Sequence, residues 1–171
     1  MTPSPTITKR EVIQVVTVFL KYKNKYLILH RSTLKKIDPD TLNGVGGKVD
    51  RGESAVDAGV RETMEETGYL LTPTDLVFSG VLSLYNGYTS DFIVTFFIAQ
   101  VPDDRVPHGL HTDDGDLQWM TYADFTESSI KKCDDLNYIF EDIHKNNKFI
   151  GSALFNDEMK VVTFAKHYLN L

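Results

Sequence analysis

Between Gly47 and Tyr69 the chain reads GKVDRGESAVDAGVRETMEETGY, and no other stretch limits so narrowly what can be built around it. Arg61, Glu62, Glu65 and Glu66 fall as R-E-x-x-E-E, with Glu53 ahead of them. On an α-helix, Glu62, Glu65 and Glu66 take positions i, i+3 and i+4 and share one face. Three carboxylates packed there repel one another at neutral pH, so a helix gains from the cluster only where a cation offsets it. Hard divalent cations with oxygen ligands, Mg²⁺ or Mn²⁺, suit such a donor set. The bland alternative is a solvated acidic face, which is what most Glu-rich runs are. The surrounding residues argue for more than that. Gly44, Gly46 and Gly47 precede the helix, Gly52-Glu53-Ser54 opens it with Ser54 as N-cap, and Gly68 stands where a C′ glycine belongs. The spacing predicts a helix over 54–67, with Val56, Val60, Thr63, Met64 and Thr67 as a buried stripe opposite much of the acid face.

This arrangement resembles the Nudix box, G-x5-E-x7-R-E-U-x-E-E-x-G-U, where U is a bulky apolar residue. Gly47, Glu53, Arg61, Glu62, Glu65, Glu66 and Gly68 match its fixed positions, while Thr63 and Tyr69 stand where aliphatic residues are usual. The resemblance implies hydrolysis of a nucleoside diphosphate linked to some other moiety. Such a substrate is polyanionic, and metal ions held by carboxylates neutralise the charge that develops on it and orient the attacking water. By the same resemblance, Glu62, Glu65, Glu66 and the backbone carbonyl of Gly46 hold the metal, with Mg²⁺ as the expected cofactor and Mn²⁺ as its substitute. Glu53 and Arg61 read as architecture, an ion pair that holds loop to helix and orients Glu62. The general base is either Glu62 or an acid from the later loop, where Asp113, Asp114 and Asp116 precede Trp119; Asp114 is the choice, against a merely solvated acidic loop. Lys48 and Arg31 match positions of phosphate-contacting cations.

A length of 171 residues suits one domain with a proper core, expected over 11–171 behind a flexible lead-in over 1–10. Residues 11–20 and 25–30 read as paired strands around Lys23-Asn24, and 75–85 and 90–101 as a hairpin around Asn86-Gly87. A short strand over 117–121, a helical turn over 122–127 and a helix over 134–145 follow, the last with Leu136, Ile139, Phe140 and Ile143 at helical spacing. Residues 149–155 and 159–168 read as a closing hairpin. Strands and helices in this order indicate an α/β (α+β) chain, and the resemblance implies an α/β/α sandwich with a mixed sheet between helices. No apolar run is long enough to span a membrane, and the N-terminus lacks the apolar core of a secretory signal. The single Cys133 excludes an internal disulfide framework and fits a reducing cytosol, so a cytoplasmic location is expected. A net charge of −6 argues against a nucleic-acid partner and leaves a small nucleotide as the substrate. Monomer and homodimer both stay open.

The box does not define the nucleotide. Asn43-Gly44-Val45-Gly46-Gly47-Lys48-Val49 resembles the corresponding stretch of MutT-type enzymes that hydrolyse oxidised purine nucleoside triphosphates, in which the Asn contacts the base. An amide can read a purine edge, although a plain turn asparagine is the even alternative. Asp134-Asp135 match an acid pair that reads 8-oxopurine in those relatives; the competing role is helix capping. The aromatic residue that precedes that pair in some relatives is replaced here by Lys132 and Cys133. The pattern from Asp114 to Met120, and K-F-I-G-S-A-L-F later, also resemble MutX-type 8-oxo-dGTP diphosphatases. The expected reaction is therefore 8-oxo-dGTP, or a similar purine triphosphate, plus water giving monophosphate and pyrophosphate. ADP-ribose and diadenosine polyphosphates are the rival substrates, the latter from Tyr85 and Tyr88 past the box. A nucleotide-binding domain without catalysis is the rival class.

Overall fold

The run Val12–Tyr22 forms a long strand, β1, whose alternate side chains face opposite ways. Val16, Val18 and Leu20 enter one apolar core and Phe19 the other, so this strand lies between two layers of packing. The computed structural model describes residues 9–171; most of the expected lead-in, residues 1–8, lies outside the described residues. Arg10 Nε donates to Asp91 Oδ1 at 2.7 Å, which anchors the chain ahead of β1.

A turn with Lys23 at φ +52° leads into β2 (Lys25–Arg31), as expected. The following polar loop ends in two short strands, β3 (Leu42–Asn43) and β4 (Val45–Lys48). After α1 (Ala55–Thr67) come β5 (Val77–Tyr85), β6 (Asp91–Gln100), β7 (His111–Thr112) and β8 (Gly115–Thr121). The helices α2 (Tyr122–Glu127) and α3 (Leu136–Lys145) precede the terminal hairpin of β9 (Lys148–Phe155) and β10 (Val161–Leu169). The strands make one ten-stranded mixed sheet, with a path β10-β9-β5-β6-β1-β2-β8-β7. The β1–β6 and β5–β9 pairs are parallel and the other pairs antiparallel. One core lies under α3 and α2, built on Phe19, Tyr26, Phe125, Ile139, Phe140 and Phe149. The second core lies on the α1 side and includes Leu27, Leu29, Val45 and Ala58. Among the described residues no helix is long and apolar enough to cross a membrane.

One irregularity positions the site. β1 pairs with β2 only over Leu20–Tyr22, whereas Val15–Val18 pairs with β4. β2 diverges from β1, and β4 fills part of the opening. Gly46 makes that insertion possible: its φ is +149°, and a Cβ there would stand 2.0 Å from the Val16 carbonyl oxygen.

Two expectations need correction. The buried face of α1 is Ala58, Gly59, Thr63 and Thr67, whereas Met64 is exposed and Val56 and Val60 are half-buried. Small side chains let the helix sit close to its neighbours; a Cβ on Gly59 would lie 2.9 Å from Leu76 Cδ1. The acid face consequently borders the packed stripe instead of opposing it. The last helix begins at Leu136 and not at 134, with Asp135 in the N-cap position and no side-chain capping hydrogen bond, so capping, the alternative to base reading for Asp134 and Asp135, finds no support there.

Candidate active site

The ends of α1 are fixed by its own sequence. The Ser54 hydroxyl accepts from the Asp57 amide at 3.1 Å, and Asp57 closes a capping box on the Ser54 amide. Gly68 takes φ +78° and donates its N–H to the Met64 carbonyl at 2.9 Å, ending the helix in a left-handed cap.

Arg61 organises the acids that lie between these ends. Its Nε and Nη2 form a fork on Glu53 at 2.9 and 3.0 Å. Nη1 reaches Glu62 at 2.8 Å and Glu65 at 3.3 Å, while Nη2 also donates to the Lys48 carbonyl at 3.0 Å. One guanidinium thus joins the loop before α1, the glycine loop and the acid face. Glu53 is held below the usual carboxylate range by its hydrogen bond to Arg61. Glu62 behaves oppositely: burial raises it, and Arg61 offsets only part of that.

The three glutamates are not equivalent. The Glu62 side chain is 14% exposed and that of Glu65 59%, so Glu62 turns inward and Glu65 outward. Glu66 also turns in and accepts from the Gly46 amide at 3.2 Å. Burial first, then the nearby charges of Asp114 and Glu62, push Glu66 up to about 8. Gly47 is moulded to this wall; a Cβ there would meet Glu62 Oε1 at 2.5 Å. Asp114 comes from the turn between β7 and β8 and pairs with Lys35 and with Glu66. Burial alone would raise Asp114, but the Lys35 ammonium and its other partners hold it below the usual range. The proton of the Glu66–Asp114 pair therefore rests on Glu66. Asp113 is exposed.

These oxygens suit a hard divalent cation: they are carboxylates, partly desolvated, and short of compensating positive charge. Among the described residues no three such side chains already converge on a common metal point, because Arg61 and Lys35 hold some of them aside.

A cavity of ≈ 240 Å³ opens beside the glycine loop. Gly44, Gly46, Gly47 and Lys48 form one wall, with Arg31 and Asn43 beside them, and Asp135, Tyr88, Phe92 and Phe96 line the remainder. Asn43 Oδ1 accepts from the Gly44 amide at 2.8 Å, so it serves the turn and leaves its NH₂ group for other partners. Arg31 Nε donates to the Ile37 carbonyl at 3.2 Å. The acid pair is divided: Asp135 lines the cavity, whereas Asp134 accepts from the Val161 amide at 2.8 Å and ties α3 to β10. Cys133 is buried, and burial pushes its thiol well up, in keeping with an inert thiol. Lys35 and Asp38 were not foreseen for this site; they come from a loop whose sequence shows only charge and a proline. Tyr88, singled out in the sequence only as a mark of a diadenosine-polyphosphate substrate, lines the cavity.

A NUDIX domain model matches residues 11–141. The m7GpppN-mRNA hydrolase NUDT17 of Danio rerio is 32% identical over 83 residues, covering 48% of this chain and only 27% of that relative's length. Among solved structures, the MutT protein of Bacillus halodurans superposes with a TM-score of 0.75 at 18% identity, over 90% of this chain and 97% of that one. A bifunctional NMN adenylyltransferase/ADP ribose pyrophosphatase of Francisella tularensis superposes with a TM-score of 0.59 at 17% identity, over 84% of this chain and 43% of the other. At these identities the structural likenesses establish the fold alone.

Proposed function

The chain belongs to the Nudix family, and from that premise we propose that it hydrolyses the phosphoanhydride of an oxidised purine nucleoside triphosphate, such as 8-oxo-dGTP, to monophosphate and pyrophosphate. The observation that carries this reading is one cavity of base size lined by the glycine loop, Lys48 and Asn43 together with Asp135 and aromatic rings. Its ≈ 240 Å³ lies below the ~300–1,000 Å³ typical of pockets that enclose a whole drug-sized ligand. It suits one base, with the phosphates running out over the glycines toward α1.

Glu62, Glu65, Glu66 and the Gly46 carbonyl are the groups proposed to hold Mg²⁺, or Mn²⁺ in its place. Bound there, the cation supplies neutralisation of phosphate charge and a water of lowered pKa. Arg61 positions Glu62 and Glu65 by direct hydrogen bonds. Glu66 would release its proton to solvent when a cation is held there. Asp114, held ionised by Lys35, is the proposed general base, with Glu62 as the alternative. Lys48 and Arg31, both on the cavity wall, are the proposed phosphate contacts. Tyr88, Phe92 and Phe96 supply the aromatic surface that Lys132 and Cys133 do not.

The test is hydrolysis with Mg²⁺ across 8-oxo-dGTP, the four dNTPs, ADP-ribose, diadenosine tetraphosphate and a capped dinucleotide. The capped dinucleotide is included because the Danio rerio relative is named as an m7GpppN-mRNA hydrolase. Expected is a kcat/KM for 8-oxo-dGTP far above that for dGTP, with pyrophosphate released and the activity lost in Glu65→Gln and Glu66→Gln. Equal rates on all four dNTPs, or activity confined to a dinucleotide, would refute the substrate assignment.

A further inference from the structure

Two cations serve the acid wall, and they are held in different ways. Arg61 is locked in place: it forks on Glu53 and donates to the Lys48 carbonyl at 3.0 Å, so it keeps its seat whichever way Glu62 and Glu65 turn. Lys35 has no such anchor. Its Nζ pairs with Asp114 and, among the described residues, with no other group. The two side chains are 32% and 33% exposed, and an ion pair so open to water is weak. The backbone around Lys35 is nonetheless fixed. The Ser32 amide donates to the Asp114 carbonyl at 2.8 Å, the Lys35 amide to the Ser32 carbonyl at 3.1 Å, and the Arg31 amide to the Thr41 carbonyl at 2.8 Å. Lys35 is thus kept beside the turn that carries Asp114, while its flexible side chain stays free to swing. Its chain neighbours Arg31, Ile37 and Asp38 line the cavity, so a released ammonium would emerge next to it.

Asp114 also shares a hydrogen bond with Glu66, which places the Lys35 ammonium one carboxylate away from the groups proposed to hold a cation. Lys35 and a divalent cation therefore compete for the same acids, and their like charges oppose one another. A polyphosphate resolves the conflict, because it brings negative charge to the same place, and an ammonium suits a phosphate oxygen as a point charge. Resting on the metal-dependent phosphoanhydride reading above, and not on which base is bound, we propose that Lys35 is an exchangeable counter-ion: it neutralises Asp114 while the acid wall holds no cation, and it passes to a phosphate oxygen of the substrate when a cation takes up the acids. The exchange releases Asp114 for its own proposed role. It also couples the two ligands, since the cation alone must displace Lys35 from its only partner, whereas the cation with a polyphosphate offers Lys35 a new one.

The proposal is tested on the full-length chain with Lys35→Met, Lys35→Arg and, as a control for net charge, Lys36→Met at the exposed neighbouring position. Circular dichroism and thermal unfolding in chelator verify the fold of each. Three quantities are read: the Kd of Mn²⁺ without nucleotide, from the electron paramagnetic resonance of free Mn²⁺; the Kd of pyrophosphate at saturating Mn²⁺; and KM and kcat with Mg²⁺ on the best substrate of the panel. Lys35→Met is expected to tighten Mn²⁺ binding by about 3–10-fold, because a competing charge is gone. The same variant is expected to raise the pyrophosphate Kd and KM by about 10-fold, because a charged contact is lost. A side chain that merely braced the loop would weaken all three together. Lys35→Arg should restore the pyrophosphate Kd and KM to within a few-fold of wild type, and Lys36→Met should alter none of the three. Mn²⁺ binding that is unchanged or weaker in Lys35→Met, an unaltered pyrophosphate Kd, or a Lys36→Met that reproduces both effects would each overturn the proposal. If no nucleotide of the panel is turned over, the substrate reading fails separately, and Lys35 is judged on the Mn²⁺ and pyrophosphate titrations.

Discussion

Glu66 holds its proton more tightly in the folded chain than in the unfolded one, about 8 against 4.5. The stability this confers is complete below the unfolded value and is lost as pH rises through the folded one. At pH 7 about a tenth of Glu66 is ionised in the metal-free protein, and at pH 9 about nine tenths. Across that interval the folding equilibrium loses about one further tenfold step, or about 1.4 kcal/mol. For a chain of this size that lowers Tm by about 3–6 °C. Asp135, raised to about 7, is half-ionised at pH 7 and adds a smaller slope over the same interval, so the comparison that isolates Glu66 is the same pH series on Glu66→Gln. The assay is thermal unfolding in chelator at pH 7, 8 and 9, repeated with saturating Mg²⁺. Wild type should lose stability with pH in chelator and lose much less with Mg²⁺, because the cation takes the place of the proton. Glu66→Gln should be flatter in chelator and gain little from Mg²⁺. Equal pH slopes in wild type and variant would show that Glu66 is not the buried, proton-holding group, and the reasoning that joins its burial to metal binding would fail.

The Thr63 hydroxyl is buried without a partner, so Thr63→Val should raise stability by about 1–2 kcal/mol with kcat unchanged. Its neighbour Thr67 donates to the Thr63 carbonyl at 2.5 Å and accepts from the Tyr69 amide at 3.2 Å, so Thr67→Val should cost about 1 kcal/mol; denaturant titration of both variants checks the contrast. Arg61→Lys cannot reproduce the fork on Glu53 together with the reach to Glu62, and it should weaken Mg²⁺ activation by about 10–100-fold, read from the metal dependence of kcat. Asp114→Asn should lower kcat and Asp113→Asn should not; equal effects of the two would remove Asp114 from the reaction.

The residues of the acid helix were legible because their relation is local. Helical geometry brings Glu62 and Glu66 to one side from their spacing alone, and the caps at Ser54 and Gly68 follow from the same short-range rules. The hairpin turns at Lys23 and Asn86 were legible for the same reason, each requiring a left-handed residue. What spacing does not carry is the rotation of the helix about its axis. Bulk suggested Val56, Val60 and Met64 as the packed face, whereas close approach to β1 and β4 selects Ala58, Gly59 and Thr63 and turns the acids half inward. Asp134-Asp135 read as a pair from their resemblance to the relatives' acid pair. At the first turn of a helix adjacent side chains point differently, and here Asp134 is tied to the Val161 amide while Asp135 lines the cavity. Nothing in a polar, proline-containing loop marks Asp38 or Lys35 in advance.

Two carboxyls of this fold rest on the same physics with different surroundings. Burial first, and the charge of a second carboxyl after it, push each one up: Glu66 near Asp114, and Asp135 near Asp38. Beside Glu66 stand further acids, Glu62 among them, and the Gly46 amide, so removing the proton leaves an oxygen-rich, negatively charged place that only a cation completes. Asp135 shares its surroundings with Asp38, the buried Cys133 and the aromatic rings of Tyr88, Phe92 and Phe96. On the proposed function, a divalent ion would find fewer carboxylate oxygens there than beside Glu66, and a neutral base edge would be the better partner. Excess Mg²⁺ should accordingly leave the metal-free affinity for 8-oxo-dGMP unaltered apart from any contact through its phosphate, which the free nucleobase, lacking one, would reveal by an affinity independent of Mg²⁺.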